Sequence, residues 1–172
     1  MRVKICLISF VIITSFLGCQ EPAKPLLGPM EQKPKIYEDI IWISFSIEMP
    51  YLDTDSDHYP DGILVDVTLN RPNEKAFVAG RGTMIFHLLQ RTKDSRGLLA
   101  DKELYKWEVT EDKVMRSITR QRFGLICHHI ALYWHGIPQP KGNDLYVQAE
   151  FIRTDKQRIV SRMVPLSIQE KP

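Results

Sequence analysis

The stretch Ile63-Leu64-Val65-Asp66-Val67-Thr68-Leu69 decides the fold class. Ile63, Val65, Val67 and Leu69 recur at every second place with Asp66 and Thr68 between them, the period of a strand whose alternate side chains face opposite sides of a sheet. Upstream, Ile41 to Ile47 repeats the pattern: Ile41, Ile43, Phe45 and Ile47 alternate with Trp42, Ser44 and Ser46. Downstream, Arg71-Pro72-Asn73-Glu74 predicts a type I turn with Pro72 at its second place. Thr83 to Arg91 then sets Met84, Phe86 and Leu88 on one face, and Asp94-Ser95-Arg96-Gly97 opens a loop leading to a strand from Glu103 to Val109 with Tyr105, Trp107 and Val109 inward.

Thr110-Glu111-Asp112 reads as a helix start, with a hydroxyl at the N-cap and two carboxylates in the first turn. Val114 and Ile118 follow at i, i+4, so one short crossover helix is predicted, ending before Phe123-Gly124. Three more strands are predicted, Leu125 to Trp134, Leu145 to Arg153 and Ile159 to Ile168, with Pro140 to Asp144 and Thr154 to Gln157 as hairpin loops. Pro165 lacks a ladder donor and makes the last of them an edge strand. Seven short strands with one crossover helix predict an all-β chain, an antiparallel β-sandwich of the immunoglobulin-like kind, with a small closed barrel as the other architecture. The pattern alone carries this, because Cys127 has no partner cysteine and Leu125 stands where an immunoglobulin domain has its tyrosine.

The chain has 172 residues, 44% of them hydrophobic and 26% charged, a composition with room for one domain and its core. A net charge of +2 and an isoelectric point near 8.4 lack the basic footprint of nucleic-acid binding, so no nucleic-acid partner is expected.

Met1-Arg2-Val3-Lys4, an apolar run from Ile5 to Leu17, and Gly18-Cys19 match the three regions of a signal peptide over residues 1–18. The run is shorter than the roughly 20 apolar residues of a transmembrane helix. Phe16-Leu17-Gly18-Cys19 resembles the lipobox of bacterial lipoproteins, departing from it at Phe16 and Leu17 and matching at Gly18 and Cys19. The resemblance implies cleavage before Cys19, diacylglycerol on its sulfur, and attachment to the cell envelope. With Gln20 rather than Asp next in the chain, it implies the outer membrane of an organism that has one. Loss of Arg2 and Lys4 leaves 21 basic residues against 21 acidic ones, so attachment would depend on lipid rather than charge. Cys127 would then be the remaining thiol, read as a small buried hydrophobe. Residues 19–38 carry Pro22, Pro25, Pro29 and Pro34 and read as an extended tether, which leaves 39–172 for the sandwich.

Asp53-Thr54-Asp55-Ser56-Asp57-His58-Tyr59-Pro60-Asp61-Gly62 places carboxylates at positions 1, 3, 5 and 9, a spacing that suits calcium because a hard cation gathers oxygens from alternate residues of a curled loop. The run resembles the Asp-rich loops of EF-hand, dockerin and thrombospondin type 3 repeats, which would make Asp53, Asp55, Asp57 and Asp61 the ligands. His58 replaces the turn glycine and Leu64 the closing acid. The competing expectation is a solvated acidic turn.

Cys127, His128, His129 and His135 are of zinc-ligand type, but strand alternation puts Cys127 and His129 on one face and His128 with Ile130, Leu132 and Trp134 on the other, so packed or surface histidines beside an inert thiol are expected. Lys113, Arg116, Arg120 and Arg122 line the polar side of the helix and its exit, a candidate contact for anionic lipid or polymer against the plainer expectation of a solvated face.

No nucleophile elbow, phosphate loop, zinc-protease helix or dinucleotide fingerprint occurs in the sequence. The leading expectation is a non-enzymatic envelope module that offers loops or an edge strand, the first or the seventh, to an envelope protein or surface polymer. The second is a calcium-dependent binder of carbohydrate or polymer, with Trp42 and Tyr146 stacking on sugars. The third is a small hydrolase whose groups converge without a local motif.

Overall fold

The computed structural model describes residues 34–168 apart from 58, 75, 76, 94, 121–124, 135–139 and 141. All of them fall in one compact unit, Gln32–Pro172. The predicted signal peptide, Cys19 with most of the predicted tether, His58, Arg122 and His135 lie outside the described residues. No helix among those described is long and apolar enough to cross a membrane.

The elements in chain order are β1 (Ile36–Tyr37), β2 (Trp42–Ile47), β3 (Gly62–Asn70), β4 (Ala79–Gly80), β5 (Gly82–Lys93), β6 (Leu99–Val109), α1 (Glu111–Arg116), β7 (Ile118–Arg120), β8 (Ile126–Tyr133), β9 (Gly142–Arg153), β10 (Arg158–Val160) and β11 (Val164–Ile168). One antiparallel sheet has the order β2-β3-β8-β7, and the other β10-β9-β5-β6 with β11 following β10 along the same side of β9. The all-β sandwich holds, and the helix crosses from β6 in one sheet to β7 in the other.

The period-two residues build the core. Ile63, Val65, Val67 and Leu69 of β3 are fully buried, facing Met84, Phe86 and Leu88 of β5 and Leu145, Val147, Ala149 and Phe151 of β9. Phe45 meets Phe86 edge to face across the layers, with centroids 6.2 Å apart at 86°. Burying a side chain of this size stabilises by about 1.5–3 kcal/mol.

Several local expectations are corrected. Ile36 and Tyr37, read as tether, pair in parallel with Ala79 and Gly80, and Tyr37 packs against the core. Ile41 precedes its strand and is 54% exposed. Asn73 has φ 60°, which a type I turn does not contain and a type II turn requires. Ser117 ends the helix early, its N–H bonding back to the Lys113 and Val114 carbonyls, so Ile118–Arg120 leave as a strand beside β8. Gly142 to Asp144 extend β9 instead of forming a loop. The last predicted strand is broken at Ser161–Met163: four steps from Val160 to Val164 face three on β9, from Glu150 to Val147. Ser161 bridges the break, its N–H donating to the Ala149 carbonyl and its Oγ accepting from the Ala149 N–H. Pro165 does sit on the edge of its sheet, opposite Tyr146.

Candidate functional site

Two stacked open sheets leave two seams, and each seam holds a groove. At the first, the free edge of β2 faces the break between β10 and β11, and Trp42 to Phe45 with Ser161 to Val164 line about 440 Å³. The two edge strands that the sequence singled out therefore flank one groove. At the second, β6 ends its sheet, and the stretch of β8 beyond β7 runs beside it, enclosing about 580 Å³.

The second groove is built on aromatic rings and cations. Trp107 Nε1 donates to the Tyr133 carbonyl at 2.7 Å, tying β6 to β8 at its floor. Tyr105 stands edge-on to Trp107 with centroids 4.9 Å apart, and Trp134 lies tilted 6.1 Å from Trp107. Lys106, Lys113 and Arg116 share the lining with one anion, Glu108. Arg116 pairs with Asp112 one turn back at 2.7 Å. Of the four cations read as one polar face, Lys113 and Arg116 reach this groove, Arg120 is exposed on β7, and Arg122 lies outside the described residues.

In the acidic loop, Asp53, Asp55 and Asp61 bring ligand atoms within 4.8 Å of one another, while Asp57 is not part of that group. These carboxylates cap their own loop. Asp53 accepts from the Ser56 N–H at 2.8 Å, Asp55 from the Asp57 N–H at 3.1 Å, Asp57 from the Tyr59 N–H at 2.8 Å, and Asp61 from both the N–H and the hydroxyl of Thr54. Trp42 and Tyr146 face outward from different sheets, and Arg91 covers the Tyr146 ring 4.4 Å from its centroid, so the two cannot flank one sugar.

On β8 the alternation divides Cys127 and His129 from His128 as expected. His128 is buried under the helix, its Nδ1–H donating to the Val114 carbonyl at 3.0 Å. Burial pushes its pKa down to about 4 against the opposing effect of that bond. Cys127 is fully buried, and burial with the nearby Asp66 charge pushes its thiol up to about 12, so it stays protonated and donates to Asp66 Oδ1 at 3.6 Å.

Asp66, placed by alternation on the outer face of β3, is only 5% exposed and sits directly opposite His129. His129 Nδ1 lies 2.7 Å from Asp66 Oδ1 and 4.0 Å from Glu48 Oε1. Burial pushes the Asp66 carboxyl up, but its hydrogen bonds with Glu48, His129 and Cys127 and the His129 charge outweigh that and hold it low. Its hydrogen bond with Asp66 and burial push Glu48 up. Sequence reasoning missed Glu48 and Asp66. The available signal was a carboxylate flanked by Val65 and Val67 in the most apolar strand.

A second charged group lies on the outer face of the other sheet. Glu150, buried on β9, accepts from Nε and Nη2 of Arg158, one on each carboxylate oxygen, and His87 bridges it to Glu103.

No protein-family model matches the chain, and no curated protein matches it. Among solved structures it is similar to MtrC from Shewanella baltica OS185, at 13% identity and a TM-score of 0.39 over 74% of this chain. The matched region is 22% of that protein's length.

Proposed function

We propose that the protein is an exported, lipid-anchored module of the cell envelope that acts without catalysis, binding an extended, acidic segment of an envelope protein along the edge of β6. The edge of β6 beside the larger groove, which no strand pairs among the described residues, carries this reading. Leu99–Val109 ends its sheet, and such an edge offers backbone donors and acceptors to an incoming strand. Tyr105, Trp107 and Tyr133 give the groove apolar surface for alternate side chains of that strand. Three cations against one anion favour carboxylates in it, and Lys106 and Lys113 have no ion-pair partner among the described residues. The leader supports export, and Cys19 supplies the anchor.

The test is crosslinking of the tagged full-length chain in intact cells, with Lys106→Glu/Lys113→Glu beside the parent and Trp42→Ala as a control at the opposite seam. The reading expects one discrete protein adduct, lost in the double variant and kept in the control. An adduct indifferent to both lysines, or capture of a surface polymer in place of a protein, contradicts it. A calcium-dependent form of the module would use Asp53, Asp55 and Asp61, whose ligand atoms already converge, and would lose the adduct when calcium is chelated.

A further inference from the structure

We infer that Glu48, Asp66 and His129 form a binding site for one divalent transition-metal ion of the zinc type, on the outer face of the β2-β3-β8-β7 sheet. The three residues are far apart in the chain and converge through strand register. Asp66 and His129 are cross-strand partners, and Glu48, just past β2, bonds through its N–H to the Leu64 carbonyl at 2.9 Å, which places it diagonal to Asp66. Their ligand atoms all lie within 4.8 Å of one another.

The donor chemistry selects the ion. Two carboxylates and an imidazole combine two negative charges with a borderline-soft nitrogen, whereas calcium and magnesium take oxygen shells. Zinc–ligand bonds of about 2.0–2.2 Å in a tetrahedron set ligand atoms about 3.4 Å apart. The His129 Nδ1 distances of 2.7 Å to Asp66 and 4.0 Å to Glu48 bracket that separation. The adjustment falls on side chains free to make it, since His129 is 41% and Glu48 39% exposed, while Asp66 is fixed in the sheet.

Charge adds a reason for a cation here. The register brings two carboxyl groups beside one imidazole, and a dication held between them neutralises both carboxylates. The Cys127 thiol donates to Asp66 Oδ1 and orients it, as outer partners of metal ligands do, without being a ligand itself. Three protein ligands on an exposed face leave the fourth position to water. The ion would clip the end of edge strand β2 to β3 and β8.

The experiment uses the purified full-length chain in detergent, stripped with chelator, titrated with zinc sulfate and read by retained metal and by melting temperature. The expected result is one zinc per chain with a raised melting temperature. Binding should weaken at least about 10-fold in His129→Gln and in Glu48→Gln, both exposed enough to leave folding intact, because even outer-shell partners cost that much. Cys127→Ser, whose hydroxyl still donates to Asp66 but is no thiolate ligand, and Asp53→Asn/Asp55→Asn should retain the metal. No zinc retained by the parent, zinc undiminished in His129→Gln, or zinc lost in Cys127→Ser although its hydroxyl keeps the bond to Asp66, would each overturn the assignment.

Discussion

The Trp107 indole donates to the Tyr133 carbonyl at 2.7 Å, a bond that joins an edge strand of one sheet to a strand of the other where the sandwich is open. The ring both closes the floor of the larger groove and keeps its two walls at a fixed separation. Trp107→Phe retains most of the apolar contact and removes the donor. Urea denaturation should show a loss of about 0.5–1.5 kcal/mol, the net contribution of one hydrogen bond.

Close backbone approach makes Gly62 intolerant of any side chain. A Cβ there would run into the Leu132 carbonyl oxygen on β8, which belongs to the sheet and cannot move aside. Gly62→Ala should cost about 1–3 kcal/mol by overpacking. At Gly97, φ is +77° and a methyl would stand in open space, so Gly97→Ala should cost about 1–2 kcal/mol, from backbone conformation alone. Thermal melts of the two variants compare the two origins directly.

The fold class was legible because every second residue from Ile63 to Leu69, from Met84 to Leu88 and from Leu145 to Phe151 is apolar, and each of those is buried. Element ends were less so. Ile118 sits one helical turn after Val114 and so extends the apparent helix, but Ser117 turns its N–H and hydroxyl back on the preceding carbonyls, and β-branched Ile118 and Thr119 pair with β8 instead. Ser161 interrupts a run that reads as one strand, because its hydroxyl replaces a ladder acceptor for Ala149. The Glu48, Asp66 and His129 group was illegible, since only the registers of β2 on β3 and β3 on β8 bring residues so distant in sequence together. The acidic loop was legible as a cluster, but its spacing did not disclose that each carboxylate caps a nearby backbone N–H.

Glu150 should make stability depend on acid. Hydrogen bonds from Arg158 hold its carboxyl below the ordinary range against the opposing effect of burial, with that guanidinium's charge and His87 adding to the lowering. A group lowered in the folded state contributes stability that is fully present above its unfolded pKa, about 4.3, and is lost as pH falls through the folded value. Urea midpoints measured from pH 6 down to pH 3 should fall more steeply for the parent than for Glu150→Gln. Equal slopes would remove Glu150 from the account.

The proposed lipid attachment rests on Cys19. Cells grown with labelled palmitate should label the parent chain and not Cys19→Ser, and the variant should leave the membrane fraction. Label retained in Cys19→Ser would remove the anchor from the proposal.

The most direct test of the binding claim is a photo-crosslinking residue placed at position 106 on β6, and separately at position 42 on β2, in the full-length chain in intact cells. Binding at the β6 edge predicts a single protein adduct from position 106, lost on Lys113→Glu, and none of that mass from position 42. The same adduct from both positions, or from position 42 alone, would contradict it.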